Sequence, residues 1–518
     1  MQATHANWNF KSVPQKRACF GMYNNECSQP RGRILGGSSS INFMIYNRGN
    51  RRDFDSWSKL GNYGWSYKEV LPYFLKSESA NLNGLEYSSY HNRSGPLSVA
   101  HIQMRSIIAD AFVEGSKQFG LTETDYNGES QLGVSYVQAN TLYGRRHSAY
   151  RAFIEPIMFK RNNLKIFTFS RVTKVLLDAN SKTAYGIEFL YRRQRYIFKA
   201  RKEVVLSAGA FNSPQILMLS GIGPADNLGN LGIKIIQQLP VGLRMYEHVS
   251  HFGPTFIVNT TKQTLFSTSA TPKDILGFLA GRPDTRLSML PGVEALAFLK
   301  VPCSKLPKDW PDVEIIFASA SLASDDGTAL KKGGNIKQEI YDRLYHPLQI
   351  AKQDHFTVLI MPFYPKSVGR VWLRNTNPLQ WPMIDPNYFD NIEDIEYILE
   401  GIKAAIRISK TPAMQRIGTR LLDTPVPGCE SYVFASDNYW RCSIRTLTYT
   451  LHHQVATCRM GLRSDPTAVV SPELRVHGIS KLRVVDVGVI PLPPTAHTNA
   501  AAFMIAEKAA DMIKAAWR

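Results

Sequence analysis

Glu203-Val204-Val205-Leu206-Ser207-Ala208-Gly209-Ala210-Phe211-Asn212-Ser213-Pro214-Gln215-Ile216-Leu217-Met218-Leu219-Ser220-Gly221 is the stretch from which the architecture follows. The apolar run Val204-Val205-Leu206 is too short for a helix and reads as a buried strand. Ser207 to Ala210 are small residues that permit a tight turn. Ser213 is placed to cap a helix with Pro214 at its first position, where a missing N–H costs nothing. Ile216 to Leu219 fill that helix and Gly221 stops it. Strand, tight turn and helix make half of a βαβ unit, so the chain contains an α/β domain.

A second strand-to-helix passage lies near the end of the chain. Leu482-Arg483-Val484-Val485 delivers Asp486, Pro491, Pro493 and Pro494 break the run, and His497-Thr498-Asn499 follows. Asn499 reads as the N-cap of a helix carrying Phe503, Ala506, Ala510 and Ile513 at helical spacing. A carboxylate at a strand's C-terminal end beside a helix N-terminus is where open α/β sheets bind nucleotide cofactors. Without a ligand, Asp486 would only cap a turn. Upstream, His452 and His453 precede the small-residue turn Val455-Ala456-Thr457-Cys458. Near the start, Ile34-Leu35-Gly36-Gly37-Ser38-Ser39-Ser40-Ile41-Asn42 allows a sharp turn whose serines cap a helix beginning near Ile41. Successive backbone N–H groups there would form a nest for an anion, or the stretch is an ordinary Gly-Ser loop.

Between these passages the pattern changes twice. Helical spacing marks 67–76 and 104–120, with a shorter helix around Phe153-Ile154. His147 beside it reads as structural. Leu164 to Phe169, Val172 to Leu177, Tyr185 to Tyr191 and Tyr196 to Lys199 read as consecutive short strands. Residues 255–390 carry strands at Val293 to Val301, Val313 to Ala320, Phe356 to Pro362 and Gly369 to Leu373, suited to an antiparallel sheet with helices on one side. An amphipathic helix over 391–409 presents Ile395, Ile398, Leu399, Ile402 and Ile406.

At 518 residues, 44% hydrophobic and 20% charged, the chain is globular and long enough for two or more domains. No apolar run reaches the roughly 20 residues of a membrane span. The net charge of +19 suits an anionic cofactor or only a solvated surface. Its densest cluster, Arg192 to Lys202, alternates with Tyr191, Tyr196 and Phe198 like the exposed face of antiparallel strands, and no nucleic-acid motif accompanies it. None of the six cysteines forms a CxxC pair, which argues against a zinc site. Cys19/Cys27 and Cys429/Cys442 have spacings that could close small loops. With the sequons at Asn92 and Asn259 they point to a secreted protein, although Met1-Gln2-Ala3-Thr4-His5 shows no signal-peptide pattern.

The run from Gly32 to Asp55, with Gly36-Gly37-Ser38-Ser39, Asn42, Tyr46 and Gly49, resembles the first signature of the glucose–methanol–choline (GMC) flavin oxidoreductases. Gly209 to Gly223 resembles the second signature position by position. His453-Gln454-Val455-Ala456-Thr457-Cys458-Arg459-Met460-Gly461 is similar to the segment bearing the family's active-site histidine. Leu482 to Asp486 with His497-Thr498-Asn499 is similar to its closing flavin segment. The matches run in order through nearly the whole chain. Arg48-Gly49-Asn50-Arg51-Arg52-Asp53 and the paired cysteines resemble the insect glucose-dehydrogenase-like branch.

The resemblance implies a mixed α/β (α+β) protein. It has a discontinuous Rossmann-like FAD-binding domain and a substrate domain on an antiparallel sheet. The expected division is 1–253 for the first FAD-binding part, 254–440 for the substrate domain and 441–518 for the return to the FAD domain, with C-terminal homology over about 365–509. It implies an FAD-dependent oxidation of a small-molecule alcohol or sugar, with oxygen or a quinone as electron acceptor. Gly36, Gly37, Ser38, Ser39 and Asn42 would lie along the flavin. Val172 would meet the adenine side through its backbone, Asp486 would stand near the ribityl or pyrophosphate part, and His497 and Asn499 would face the ring. His453 would be the principal base and His497 its partner, because a neutral imidazole suits removal of a hydroxyl proton near working pH. The sequence departs from the pattern in several places. The family's opening G-x-G-x-x-G is not found, Gln454 replaces a proline, Ala456 replaces a glycine, and the loop Gly242 to His248 is unusual. These departures set a second expectation beside the first, a flavin-free truncated pseudoenzyme acting as a binding protein.

Overall fold

The computed structural model describes residues 4–266, 270–289 and 292–518. Met1 to Ala3, the start of the stretch without a leader pattern, lies outside the described residues. The strand Val204–Leu206 pairs in parallel with Leu482–Val484, Val204 opposite Leu482 and Leu206 opposite Val484. The two strand-to-helix passages read from the sequence are therefore neighbours in space. Each strand leads into its own helix, Gly209–Leu219 and Asn499–Ala516.

Both helix starts differ from the sequence reading. The first helix begins at Gly209, not at Pro214, because the Asp486 carboxylate receives the Gly209 N–H at 3.0 Å and the Ser213 hydroxyl at 2.6 Å. A carboxylate at a helix N-terminus satisfies donors that the first turn leaves open. The second helix has Thr498 before it and Asn499 as its first residue. The Asn499 amide does not cap the helix but donates to Asn140 Oδ1 at 2.9 Å. The Gly-Ser stretch makes one 3₁₀ turn, Gly37–Ser40, and no helix begins near Ile41. Its serine hydroxyls are spent on backbone groups. Ser39 Oγ donates to Gly36 O and accepts the Ala149 N–H. The next helix is Arg51–Lys59, capped by Asn50.

A three-stranded antiparallel sheet joins Ser170–Asp178, Thr183–Tyr191 and Gln194–Lys199. Residues 164–169 do not form the expected strand; Phe169 has φ of 56°, which breaks the extended backbone just before the sheet starts. Gln194–Lys199 is exposed along its whole length, consistent with a solvated basic face.

The larger sheet has six strands in the order Arg420–Leu421, Thr255–Ile257, His355–Pro362, Val313–Ala318, Val293–Leu299 and Gly133–Tyr136, all paired antiparallel. Its last strand comes from the block read as 1–253, so that boundary does not cut between two closed units. The helices Ile107–Gln118 and Glu393–Ser409 cover one face. Phe112 stacks on Phe317 at 4.7 Å. A Cβ at Gly401 would lie 2.2 Å from Ile360 Cγ2, so only glycine lets that helix approach the strand so closely. The opposite face carries Leu296, Phe298, Ile316, Met361 and Phe363 and looks towards the parallel strand pair. Disulfides close Cys19–Cys27 and Cys429–Cys442, while Cys303 and Cys458 are free thiols. No helix among the described residues is long and apolar enough to cross a membrane.

Candidate active site

Between the helix-free face of the six-stranded sheet and the parallel strand pair lies a cavity of about 2420 Å³. Ligand pockets commonly measure about 300–1,000 Å³, so this one has room for a dinucleotide and a second molecule. All ten residues read from the sequence border it: Gly36, Gly37, Ser38, Ser39, Asn42, Val172, His453, Asp486, His497 and Asn499. Val172 does so from the strand Ser170–Asp178, opposite Phe189. The Asn42 carbonyl accepts from Arg146 Nη1 at 2.8 Å and from Met44 N at 3.0 Å. Asp486 is committed on both oxygens, since Oδ1 also receives the Gly488 N–H at 2.8 Å.

The two histidines meet edge to face, ring centroids 4.9 Å apart. Each is held from behind by a residue the sequence reading passed over. His497 Nε2 lies 3.0 Å from Glu314 Oε1, and this carboxylate is fully buried on the strand Val313–Ala318. An acid inside the otherwise apolar run Val313-Glu314-Ile315-Ile316-Phe317-Ala318 was the available signal, because a buried charge needs a partner. His453 Nδ1 lies 3.1 Å from His248 Nδ1, and His248 Nε2 lies 3.2 Å from the carbonyl oxygen of Phe363.

That second chain fixes a tautomer. Burial pushes His248 down to about 3, so its ring is neutral. A carbonyl oxygen only accepts, so the His248 proton is on Nε2 and its Nδ1 is an acceptor. His453 must then carry its own proton on Nδ1. Burial, followed by the neighbouring His497, His248, His452 and Arg31, holds His453 well below its ordinary value, so it too is neutral. Its Nε2 lone pair is left on the side of the ring away from His248.

Behind this wall is a polar network. Glu247 accepts from Thr450 Oγ1, Tyr388 OH, Gln454 Nε2 and the His452 N–H. The buried Arg31 guanidinium has no partner for Nε or Nη2 among the described residues. Burial lowers it to about 10 despite Glu247 and Asp486 nearby. Among the described residues neither ring nitrogen of His452 has a partner, and burial with Arg31 brings it to about 3.

The donor set and the shape fit FAD. Gly37 and Gly209 have φ of 56° and 84°, and a Cβ on either would meet no protein atom within 4 Å, so both present open backbone to the cavity. Arg31, Arg33, Arg146 and Arg171 bring cationic groups to the same lining, as a diphosphate requires. An α/β strand pair ending in an acid, backed by a cavity that holds paired imidazoles, defines a dinucleotide-dependent oxidoreductase.

The comparisons narrow this class. Family models described as GMC oxidoreductase match residues 13–250 and 365–506. The chain is 36% identical over 519 residues to glucose dehydrogenase (FAD, quinone) of Drosophila pseudoobscura pseudoobscura, covering 99% of this chain and 78% of that one. It is 34% identical over 525 residues to human mitochondrial choline dehydrogenase, covering 98% and 79%. Among solved structures, pyridoxine 4-oxidase from Mesorbium loti superposes with a TM-score of 0.79 at 27% identity, over 99% of this chain and 89% of that one. The chain belongs to the GMC oxidoreductase family, and is an FAD-dependent oxidoreductase of CH–OH donors.

Proposed function

We propose that this protein oxidises the hydroxyl of a small-molecule alcohol or sugar, with His453 Nε2 taking the hydroxyl proton and His497 as its partner. The observation that carries the reading is the hydrogen-bond chain from Phe363 O through His248, which leaves the His453 base unprotonated. Bound FAD supplies the hydride acceptor for the carbinol carbon. Gly36, Gly37, Ser38, Ser39 and Asn42 hold the flavin, the Val172 backbone meets the adenine side, and Asp486 stands near the ribityl or pyrophosphate part. His497 and Asn499 face the ring. Glu314 fixes the His497 ring beside His453, so the base and its partner are both oriented before substrate arrives, and His453, once its Nε2 carries the proton, stabilises charge developing on the substrate oxygen.

The electron acceptor is a quinone or oxygen. The chain's relatives among the insect glucose dehydrogenases (FAD, quinone) support the first, and those among the bacterial oxygen-dependent choline dehydrogenases support the second. The two disulfides and the exposed sequon asparagine Asn259 support an extracellular setting. The test is anaerobic reduction of the FAD-loaded protein by alcohols and sugars, followed at the flavin absorbance. His453→Ala should slow reduction by at least about 10²-fold, the scale of general-base catalysis. Reduction at the wild-type rate would remove His453 from this role.

A further inference from the structure

The structure assigns this site an apolar alcohol, whose hydroxyl ends an uncharged hydrocarbon, in preference to a sugar or a quaternary ammonium alcohol. The assignment rests on the oxidoreductase reading and names its substrate class. Its basis is the wall that leads away from the histidines. Side chains alternate along a strand, so Glu314, Ile316 and Ala318 share one face. Glu314 lies beneath His497, and Ile316 and Ala318 follow it along the cavity lining. Cross-strand neighbours extend the same surface: Leu359 is opposite Ile316, and Thr357 and Val293 are opposite Ala318. At about 3.4 Å per residue, Glu314 to Ala318 spans about 14 Å of aliphatic wall.

Beyond Glu314, whose Oε2 has no partner among the described residues, the hydroxyls on this wall are already paired. Thr357 Oγ1 bonds Thr255 Oγ1 at 3.1 Å. Ser321 Oγ bonds His355 Nε2 at 2.7 Å and accepts the Ala323 N–H. A sugar lying along the strip would bury hydroxyls without partners, which is disfavoured. Beyond Glu314, whose Oε1 is taken by His497 Nε2, the strip offers no counter-charge to a quaternary ammonium. The carboxylates among the cavity-lining residues, Glu203 and Asp486, belong to the strand-pair wall, and Asp486 is spent on Gly209, Ser213 and Gly488.

The rim has the same character. The helix Pro272–Leu279 buries none of its residues fully and leaves Ile275, Leu276 and Leu279 exposed, the last two by about two thirds. Phe278 and Leu279 of this helix also line the cavity. An apolar molecule would therefore meet apolar surface from the helix to the histidines.

The test uses the FAD-loaded protein with a soluble quinone acceptor. Ethanol, butanol, hexanol, octanol and decanol are compared with glucose and choline. The value of kcat/KM should climb by roughly threefold to fourfold per methylene until the strip is filled, and octanol should exceed glucose by at least about 10²-fold. Ala318→Phe, which narrows the strip, should move the optimum to shorter chains, and Ala318→Val should move it less. Faster turnover of glucose or choline than of octanol overturns the inference and leaves the oxidoreductase reading standing. A chain-length profile unchanged in Ala318→Phe also overturns it. If no compound reduces the flavin, the oxidoreductase reading falls, and calorimetry decides the ligand class separately. Decanol binding with a negative heat-capacity change supports the inference, and binding of glucose but not decanol overturns it.

Discussion

Replacing His248 with leucine tests the hydrogen-bond chain that sets the His453 tautomer. His248 touches the cavity only through His453, so the change leaves the walls around substrate and flavin in place. It removes the acceptor 3.1 Å from His453 Nδ1. The Nδ1–H is then buried without a partner, at a cost of about 1–3 kcal/mol. The ring can escape that cost by moving its proton to Nε2, which puts the lone pair on the wrong nitrogen. The productive tautomer becomes rarer by the same free energy, so flavin reduction should slow by roughly 5- to 150-fold. His248→Gln is the control, because its amide nitrogen can donate to Phe363 O while its oxygen accepts from His453. Stopped-flow reduction by a saturating alcohol gives the rate, and flavin content and thermal midpoint report any general damage. The reasoning is refuted if the leucine variant keeps its flavin and reduces it at the wild-type rate. It is equally refuted if glutamine recovers nothing relative to leucine.

Glu314→Gln keeps an acceptor for the His497 Nε2–H but removes the charge, and should lower kcat/KM by about tenfold, with Glu314→Leu lower still; equal rates in all three proteins would exclude a role for the carboxylate. His248, His251 and His452 are pushed by burial to about 3. The unfolded chain takes up these protons near pH 6.5, so stability is complete above that pH and falls by about 1.4 kcal/mol per pH unit per histidine below it. Urea unfolding at pH 7 and pH 5 measures the slope, and His251→Gln should reduce it by one proton's worth. Because His453 is also held well below its ordinary value, the acid limb of kcat/KM should fall below about pH 6.5. Ala456 has φ of 69°, a left-handed conformation costing a non-glycine residue about 1–2 kcal/mol; Ala456→Gly should raise stability by up to about 1 kcal/mol, read from the urea midpoint, and a loss would mean that the methyl group's packing outweighs the strain.

The sequence carried the fold where the pattern was local and long. The helix 391–409 and the strands from Val293, Val313 and Phe356 were legible because each holds one periodicity over several residues. The helix starts were misread for a tertiary reason. Nothing near Gly209 indicates that Asp486 will cap it, and nothing near Asn499 indicates that Asn140 will take its amide. The strand Gly133–Tyr136 joins a sheet whose other members lie more than a hundred residues away, a pairing that short-range pattern cannot report. The site divided in the same way. The ten residues read from the motifs border the cavity. Glu314 and His248, which orient two of them, sit in an ordinary strand and an ordinary loop.

That division also bears on the departures Gln454 and Ala456. Gln454 does not leave a gap where a proline would stand. Its amide donates to Glu247 and to Gln29 Oε1, which in turn joins the segment before the Gly-Ser turn to the histidine segment. Gln29 also receives the histidine segment's network through Tyr388, to which its own amide donates at 3.1 Å. The changed residue is therefore bonded into a buried network through its amide nitrogen, while its Oε1 has no partner among the described residues. Ala456 accepts backbone strain but keeps the left-handed turn that brings Thr457 and Cys458 back to the strand pair, where Cys458 N donates to Gly488 O at 2.8 Å. Both departures lie behind the imidazole wall. His453, His497 and Asp486 still border the cavity, so the substitutions change how the wall is supported and not which of these residues it presents.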